Sequence, residues 1–203
     1  MKIGIDIDGV LTDIERYIVD YGTKYCYENN ITIDIKNVEY DEMKTFNWNE
    51  RQAMKFWNKY LEDYVKNCKP RTYAVEVINK LRKNNEIYLI TARNEYGLPM
   101  EDSKKMPEFT KKWLEDNEIN YDKLVFKPDS EKLEYCLENN INIMIEDSPN
   151  NVKNISEKIK VMCYNCMYNE GIEGKNIIRV YSWYDILSKL EIGDRSFFLD
   201  FRN

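Results

Sequence analysis

The chain has 203 residues, enough to bury a sizeable core as one domain or as one domain carrying an insertion. Hydrophobic residues make up 43% and charged residues 33%, and no apolar run approaches the roughly 20 residues that cross a bilayer, which argues against a membrane protein. A net charge of −6 with scattered Lys and Arg argues against binding a nucleic-acid polymer, but leaves open a small phosphorylated partner held by local helix N-termini and a metal.

The first expected element is a strand from about Lys2 to Asp8, within Ile3-Gly4-Ile5-Asp6-Ile7-Asp8-Gly9-Val10. Side chains alternate along a strand, so Asp6 and Asp8 share one face and Ile3, Ile5 and Ile7 the other. Two neighbouring carboxylates in a dry setting are costly unless a cation that takes oxygen ligands, such as Mg2+, joins them. Gly9 lets the backbone turn sharply and approach a ligand. The same residues suit a solvated strand end, so the motif alone leaves both readings open. A strand entered at once from Met1 predicts no signal peptide and a cytoplasmic location. The odd count of five cysteines agrees, as free thiols in a reducing compartment. Cys163 and Cys166 lack the further ligands that zinc needs in a chain with no histidine, and read as a buried strand end. The absence of histidine also removes Ser-His-Asp and Cys-His nucleophiles, so acid–base work falls to Asp, Glu, Lys, Tyr or Cys.

A helix is expected from Ile14 to near Glu28, where Ile14, Tyr17, Ile18, Tyr21 and Tyr25 recur at helical spacing, with Thr12 or Asp13 as its cap. Residues 31–46 read as irregular. The strongest helical pattern follows in Ala53, Phe56, Trp57, Tyr60, Leu61, Tyr64 and Val65, capped by Asn49 with Gln52 three residues on, and Pro70 marks its exit. From Thr72 helices and strands alternate. A helix carries Ala74, Val77, Ile78 and Leu81; strands are expected at Glu86–Thr91, Leu124–Phe126, Ile141–Ile145, Lys160–Cys163 and Ile177–Tyr181; helices are expected from Pro107, from about Glu131 to Glu138, near Pro149, and after the Ser182/Asp185 capping pair. Residues after Ile192 form a tail with no assignment. Continuous apolar strands alternating with helices predict an α/β fold with a doubly wound parallel sheet. The stretch 14–71 reads as a small helical insertion after the first strand, leaving 1–13 and 72–203 as the core.

Ligands of such a sheet bind beyond the carboxyl ends of the strands. There the sequence places Asp6 and Asp8, then Thr91 in Thr91-Ala92-Arg93, then Lys132, then Glu146-Asp147. Acids suit Mg2+, while a hydroxyl and an ammonium suit phosphate oxygens. Lys127 is the alternative lysine; Lys132 is preferred because it lies closer to the helix start.

In this order Asp6-Ile7-Asp8-Gly9-Val10, Thr91, Lys132 and Glu146-Asp147 resemble the four motifs of the haloacid dehalogenase (HAD) superfamily of phosphohydrolases, over about 1–13 and 72–165. Within it the chain is most similar to the 5'(3')-deoxyribonucleotidases and their bacterial relatives, to which Tyr168-Asn169 also corresponds. The resemblance implies a Rossmann-type core with a helical cap. It implies a Mg2+-dependent phosphomonoesterase that works through an aspartyl-phosphate, with Asp6 as nucleophile and Asp8 as general acid and base. It further implies Mg2+ held by the Asp6 carboxylate, the Asp8 carbonyl and Asp147, with Glu146 acting through water. Thr91 and the backbone at Gly9 and Ala92 would bind phosphate, and Lys132 would offset charge. Arg93 would meet a substrate phosphate or pair with an acid of the cap. Two departures bear on the substrate: Glu146 stands where the group more often has aspartate, and Ala92 follows Thr91 in place of a second hydroxyl. The expected substrate is a (deoxy)nucleoside monophosphate, with a sugar phosphate as the alternative and a receiver-like or non-catalytic module as the more distant one. Tyr40, Phe46 and Trp48 are candidates to stack a base, against the plainer reading that they pack the insertion. An oligomer is left open.

Overall fold

The computed structural model describes residues 1–93 and 105–191. The tail after Ile192, left without an assignment in the sequence, lies outside them.

Six strands form one all-parallel sheet: β1 Lys2–Ile5, β2 Glu86–Thr91, β3 Lys123–Phe126, β4 Ile143–Glu146, β5 Lys160–Tyr164 and β6 Ile177–Val180, in the order β3-β2-β1-β4-β5-β6. Strand β1 is central, with Ile3 aligned to Ile87 on one side and Ile143 on the other. The chain winds one way through β2 and β3 and the other way through β4 to β6, so a crevice opens at the carboxyl ends of β1 and β4. The inner strands are apolar on both faces because helices cover both. On one face Ile3, Ile5, Ile87, Leu89, Ile143 and Ile145 pack on α4 Ala74–Leu81, α5 Met106–Asp116 and α8 Trp183–Glu191. On the other, Tyr88, Ile90, Met144, Val161 and Cys163 meet α6 Lys132–Glu138 and α7 Pro149–Ser156. Each fully buried Ile contributes about 1.5–3 kcal/mol.

The helical stretch holds α1 Ile14–Glu28, α2 Glu42–Phe46 and α3 Glu50–Asn67. Asp13 caps α1 by accepting from the Arg16 N–H, and Asn49 and Gln52 close a reciprocal capping box on α3. Its interior is aromatic where that of the sheet is aliphatic: Tyr17, Tyr25, Phe46, Trp48, Phe56, Tyr60 and Tyr64 pack with Ile18, Leu61 and Val65, and Met106 of α5 joins them. Phe46 and Trp48 stack at 4.4 Å within this cluster, so they serve packing, whereas Tyr40 stays 48% exposed. The chain leaves and re-enters the sheet region side by side, through an antiparallel bridge between Thr12 and Pro70 and an Arg71 N–H donated to the Leu11 carbonyl at 2.7 Å.

Several boundaries differ from expectation. Strand β1 ends at Ile5, not Asp8; the Asp6 N–H still reaches the Ile145 carbonyl at 3.0 Å, and the chain then turns, with the Leu11 and Thr12 N–H groups both on the Ile7 carbonyl. Alternation of Asp and Ile through Asp8 imitates a strand that the backbone has already left. Strand β4 starts at Ile143 rather than Ile141, after Asn140 adopts a left-handed conformation. The five-residue α2 falls within 31–46, read as irregular: it is too short to show a period, and is set by the Asp41 cap and the left-handed Asn47. A 3-10 turn at Asp129–Glu131 precedes α6.

Candidate active site

The loop after β1 and the end of β4 face each other across the crevice. Asp6, Glu146 and Asp147 are all buried, and one carboxylate oxygen from each lies within 4.8 Å of the others. Lys132, at the start of α6, is buried beside them and donates from Nζ to Asp6 Oδ1 at 2.7 Å and to Glu146 Oε2 at 3.1 Å. Lys127 instead pairs with Glu131 near the surface at 2.7 Å. The geometry therefore joins Lys132, not Lys127, to the acids.

Burial pushes the Asp6 carboxyl well above the usual carboxylate range; Lys132 pulls it down, and Glu146, Asp147 and Asp8 push it up again. Burial, then Glu146, likewise raises Asp147. For Lys132 burial works against the charge, but Asp6 and Glu146 outweigh it and hold the ammonium charged. If all three acids ionise, one lysine leaves two negative charges unmatched in a dry site, the charge that a divalent cation supplies. A second observation agrees. Asp147 Oδ2 accepts from the Tyr168 hydroxyl, whereas Asp147 Oδ1 is buried with no hydrogen-bond partner. An orphaned buried carboxylate oxygen beside two more carboxylates fits a hard cation with oxygen ligands.

The Glu146 oxygens are already engaged. Oε1 accepts from the Asp147 and Ser148 N–H groups, each at 3.1 Å, and Oε2 accepts from Lys132 and from Asn151 Nδ2 at 3.4 Å. That suits a residue that orients the cluster more than one that gives up an oxygen to an ion. Gly9 has φ of +90°, and a Cβ there would collide with the Asp147 carboxylate, so only glycine lets the loop pass this close.

Asp8 is placed differently. Its side chain is 9% exposed and lies outside the three-acid group. Arg93 donates to it from Nη2 at 2.7 Å and from Nε at 3.0 Å, and the Tyr64 hydroxyl of α3 donates at 2.7 Å. Arg93 is wholly buried, with its guanidinium over the rings of Tyr64 and Trp113. Its acid partner is thus Asp8 itself, rather than an acid of the helical stretch. Thr91 is buried, and its hydroxyl accepts from the Arg93 N–H at 3.3 Å, a turn-closing use. Ala92 lines the cavity.

Asp6, Asp8, Tyr40, Ala92, Lys132, Glu146, Asp147 and Asn151 enclose a cavity of about 120 Å³. Asp8, Tyr40 and Asp147 also border a neighbouring cavity of about 250 Å³ that runs under the helical stretch. A larger open concavity of about 880 Å³ around Arg71, Tyr73 and Tyr181 contains none of these acids. Sequence reasoning missed Tyr64, whose hydroxyl is hidden in a core-like stripe, and Asn151, whose only signal is its place in the first turn after Pro149. Asn169 donates to the Asp147 carbonyl at 2.8 Å, so the Tyr168-Asn169 pair sits against the acids.

The family model described as "5' nucleotidase, deoxy (Pyrimidine), cytosolic type C protein" matches residues 1–193. A protein named as a nucleotidase from Clostridium acetobutylicum is 30% identical over 194 residues, covering 94% of this chain and 95% of its own. Among solved structures, a haloacid dehalogenase-like hydrolase from Streptococcus pneumoniae superposes with a TM-score of 0.65 at 13% identity, over 94% of this chain and 98% of that one. A HAD-hydrolase from Bacillus subtilis, solved bound to magnesium, gives a TM-score of 0.57 at 13% identity, over 94% and 98% of the two chains.

Proposed function

The chain belongs to the 5' nucleotidase, deoxy (Pyrimidine), cytosolic type C family of HAD phosphohydrolases, and from this premise we propose that it hydrolyses (deoxy)nucleoside monophosphates, with Mg2+ held by Asp6, Asp147 and the Asp8 carbonyl. The observation that carries the reading is the buried set of Asp6, Glu146, Asp147 and Lys132, with its orphaned Asp147 oxygen. When bound, the ion neutralises the acids and draws phosphate oxygens toward Asp6.

In the first half of the reaction Asp6 Oδ attacks phosphorus and the bond to the leaving oxygen breaks, while Asp8 gives that oxygen a proton. In the second half ionised Asp8 takes a proton from water, the water oxygen attacks phosphorus, and Asp6 and inorganic phosphate separate. Arg93 and Tyr64 favour the ionised carboxylate of Asp8, which suits the second half. The first half needs Asp8 protonated. Lys132 steadies the charge on Asp6, the Thr91 hydroxyl hydrogen and the backbone at Gly9 and Ala92 bind phosphate, and Glu146 keeps Lys132 and the loop in place. Residues 14–71 act as a cap over the core of 1–13 and 72–203, and bring Tyr40 and Tyr64 to the site. Free thiols at all five cysteines fit a cytoplasmic working place; among the described residues no helix is long and apolar enough to cross a membrane.

The aromatic walls of the adjoining cavity, Tyr40, Trp57 and Tyr168, favour a nucleotide over the alternative sugar phosphate. Asp6→Asn should abolish Mg2+-dependent hydrolysis of an aryl phosphate while the circular dichroism spectrum stays that of the parent. Wild-type turnover in a folded Asn variant would remove Asp6 as nucleophile.

A further inference from the structure

What steadies Asp147 comes from outside the crevice. The Tyr168 hydroxyl donates to Asp147 Oδ2, and Asn169 Nδ2 donates to the Asp147 carbonyl at 2.8 Å, so two residues of one 3-10 turn, Met167–Asn169, grip the same acid. Asn169 is wholly buried. Its Nδ2 also donates to the Tyr164 carbonyl at 2.8 Å, and its Oδ1 accepts from the Cys166 N–H at 3.1 Å and from Arg179 Nη1 at 2.8 Å. An amide side chain has two donor hydrogens and two lone pairs, so all of its bonding capacity is engaged. The turn is held from the sheet edge by Arg179 of β6. Besides Asn169 Oδ1, its Nη1 reaches Asn165 Oδ1 at 3.1 Å, and its Nη2 reaches the Asn169 and Ile172 carbonyls, each at 2.9 Å. A guanidinium is a planar fork, so bonds from both of its prongs fix the orientation of the turn as well as its place. Arg179 aligns with Cys163, and Cys163 with Glu146, so the fork stands in the sheet row that ends at the acids.

We propose that Arg179 is a positioning residue for the metal: it sets the Met167–Asn169 turn, and the turn, through Tyr168 and Asn169, aims Asp147 Oδ1 at the cation. The inference rests on the Mg2+ reading above and adds to it a residue that borders neither cavity at the acids. With Oδ2 and the backbone carbonyl both held, the Asp147 carboxylate has one orientation, and its buried Oδ1 is left without a hydrogen-bond partner. Released from the turn it would have several, and an ion would have to order it on binding. Charge alone predicts the reverse. Arg179 is a cation, and its removal should tighten the hold on a nearby divalent ion. Weaker binding on its removal is therefore the mark of lost positioning.

The test is the Mg2+ dissociation constant of the full chain, read from the rise of melting temperature with Mg2+ concentration. Arg179→Gln should weaken Mg2+ binding about tenfold. Tyr168→Phe removes one hydroxyl and keeps the ring, and should weaken binding by at least about threefold. It decides the matter alone if Arg179→Gln does not fold. A folded Arg179→Gln that binds Mg2+ as tightly as the parent, or more tightly, would overturn the proposal, as would an unchanged constant in Tyr168→Phe. A role in folding alone gives that overturning result, because it lowers the melting temperature without Mg2+ and leaves the constant where it was. A parent chain whose melting temperature ignores Mg2+ would remove the metal reading and this proposal together, so the two failures are distinguishable.

Discussion

Asp6 and Asp8 stand two residues apart and live in opposite surroundings. Asp6 belongs to the sheet: its N–H extends the β1–β4 ladder, its carboxylate is buried, and its counter-charge comes from Lys132, next to β4 in the fold. Asp8 belongs to the far side of the crevice, where Tyr64 of α3 and Arg93 after β2 hold it, 56 and 85 residues away in the chain. In the proposed mechanism the acid that attacks phosphorus is the one fixed by the sheet side of the molecule. The acid that the same mechanism has change its protonation state is held by groups from two distant segments, one of them the helical stretch.

The sharpest way to break this division is on the sheet side. Lys132→Met leaves Asp6 and Glu146 buried without a cation, and should cost about 3–5 kcal/mol of stability by urea unfolding. Adding Asp6→Asn to that variant should restore part of the loss, because the two changes share one interaction. A double variant no more stable than Lys132→Met alone would show that the pair is not coupled. Next in size is the metal. Mg2+ at a hundredfold excess over its dissociation constant should stabilise the protein by about 2.7 kcal/mol, read as a rise in melting temperature. Asp147→Asn should erase that rise; a rise that survives would place the ion elsewhere. The smallest effect is on the far side. Tyr64→Phe removes one hydroxyl that links Asp8 at 2.7 Å and Thr12 at 2.6 Å, and should cost about 1 kcal/mol of stability. It should lower kcat about tenfold with KM nearly unchanged, since Tyr64 acts through Asp8. A change confined to KM would mean that Tyr64 meets the substrate directly.

The same division governs what could be read from the chain. On the sheet side, apolar runs stop at a polar residue where the strand stops, and this local signal locates Asp6, Thr91 and Glu146-Asp147; β2 runs over Glu86–Thr91 as expected. Lys132 could be preferred over Lys127 because a helix start faces the strand ends, and the ion pair with Asp6 agrees. The far side depends on contacts with no local trace. Nothing near Arg93 points to Asp8, and Tyr64 shares its spacing with Phe56 and Tyr60, which belong to the same aromatic cluster. Tyr40, Phe46 and Trp48 look alike in sequence, yet two are buried in the aromatic cluster and one borders the site. The alternation that marked Asp6 and Asp8 also prolonged β1 on paper by three residues.

The bridge between Thr12 and Pro70 has a consequence for how such a molecule diversifies. Because the two crossings of the neck touch, a turn of a few residues could join them and leave all six strands in register, at little cost in loop closure. Whatever is grafted at that junction inherits Asp6, Lys132, Glu146 and Asp147 in place, and has to supply a partner for Asp8 where Tyr64 stood. On the proposed function, substrate choice is thus exchangeable as a cassette while most of the hydrolytic machinery stays with its host.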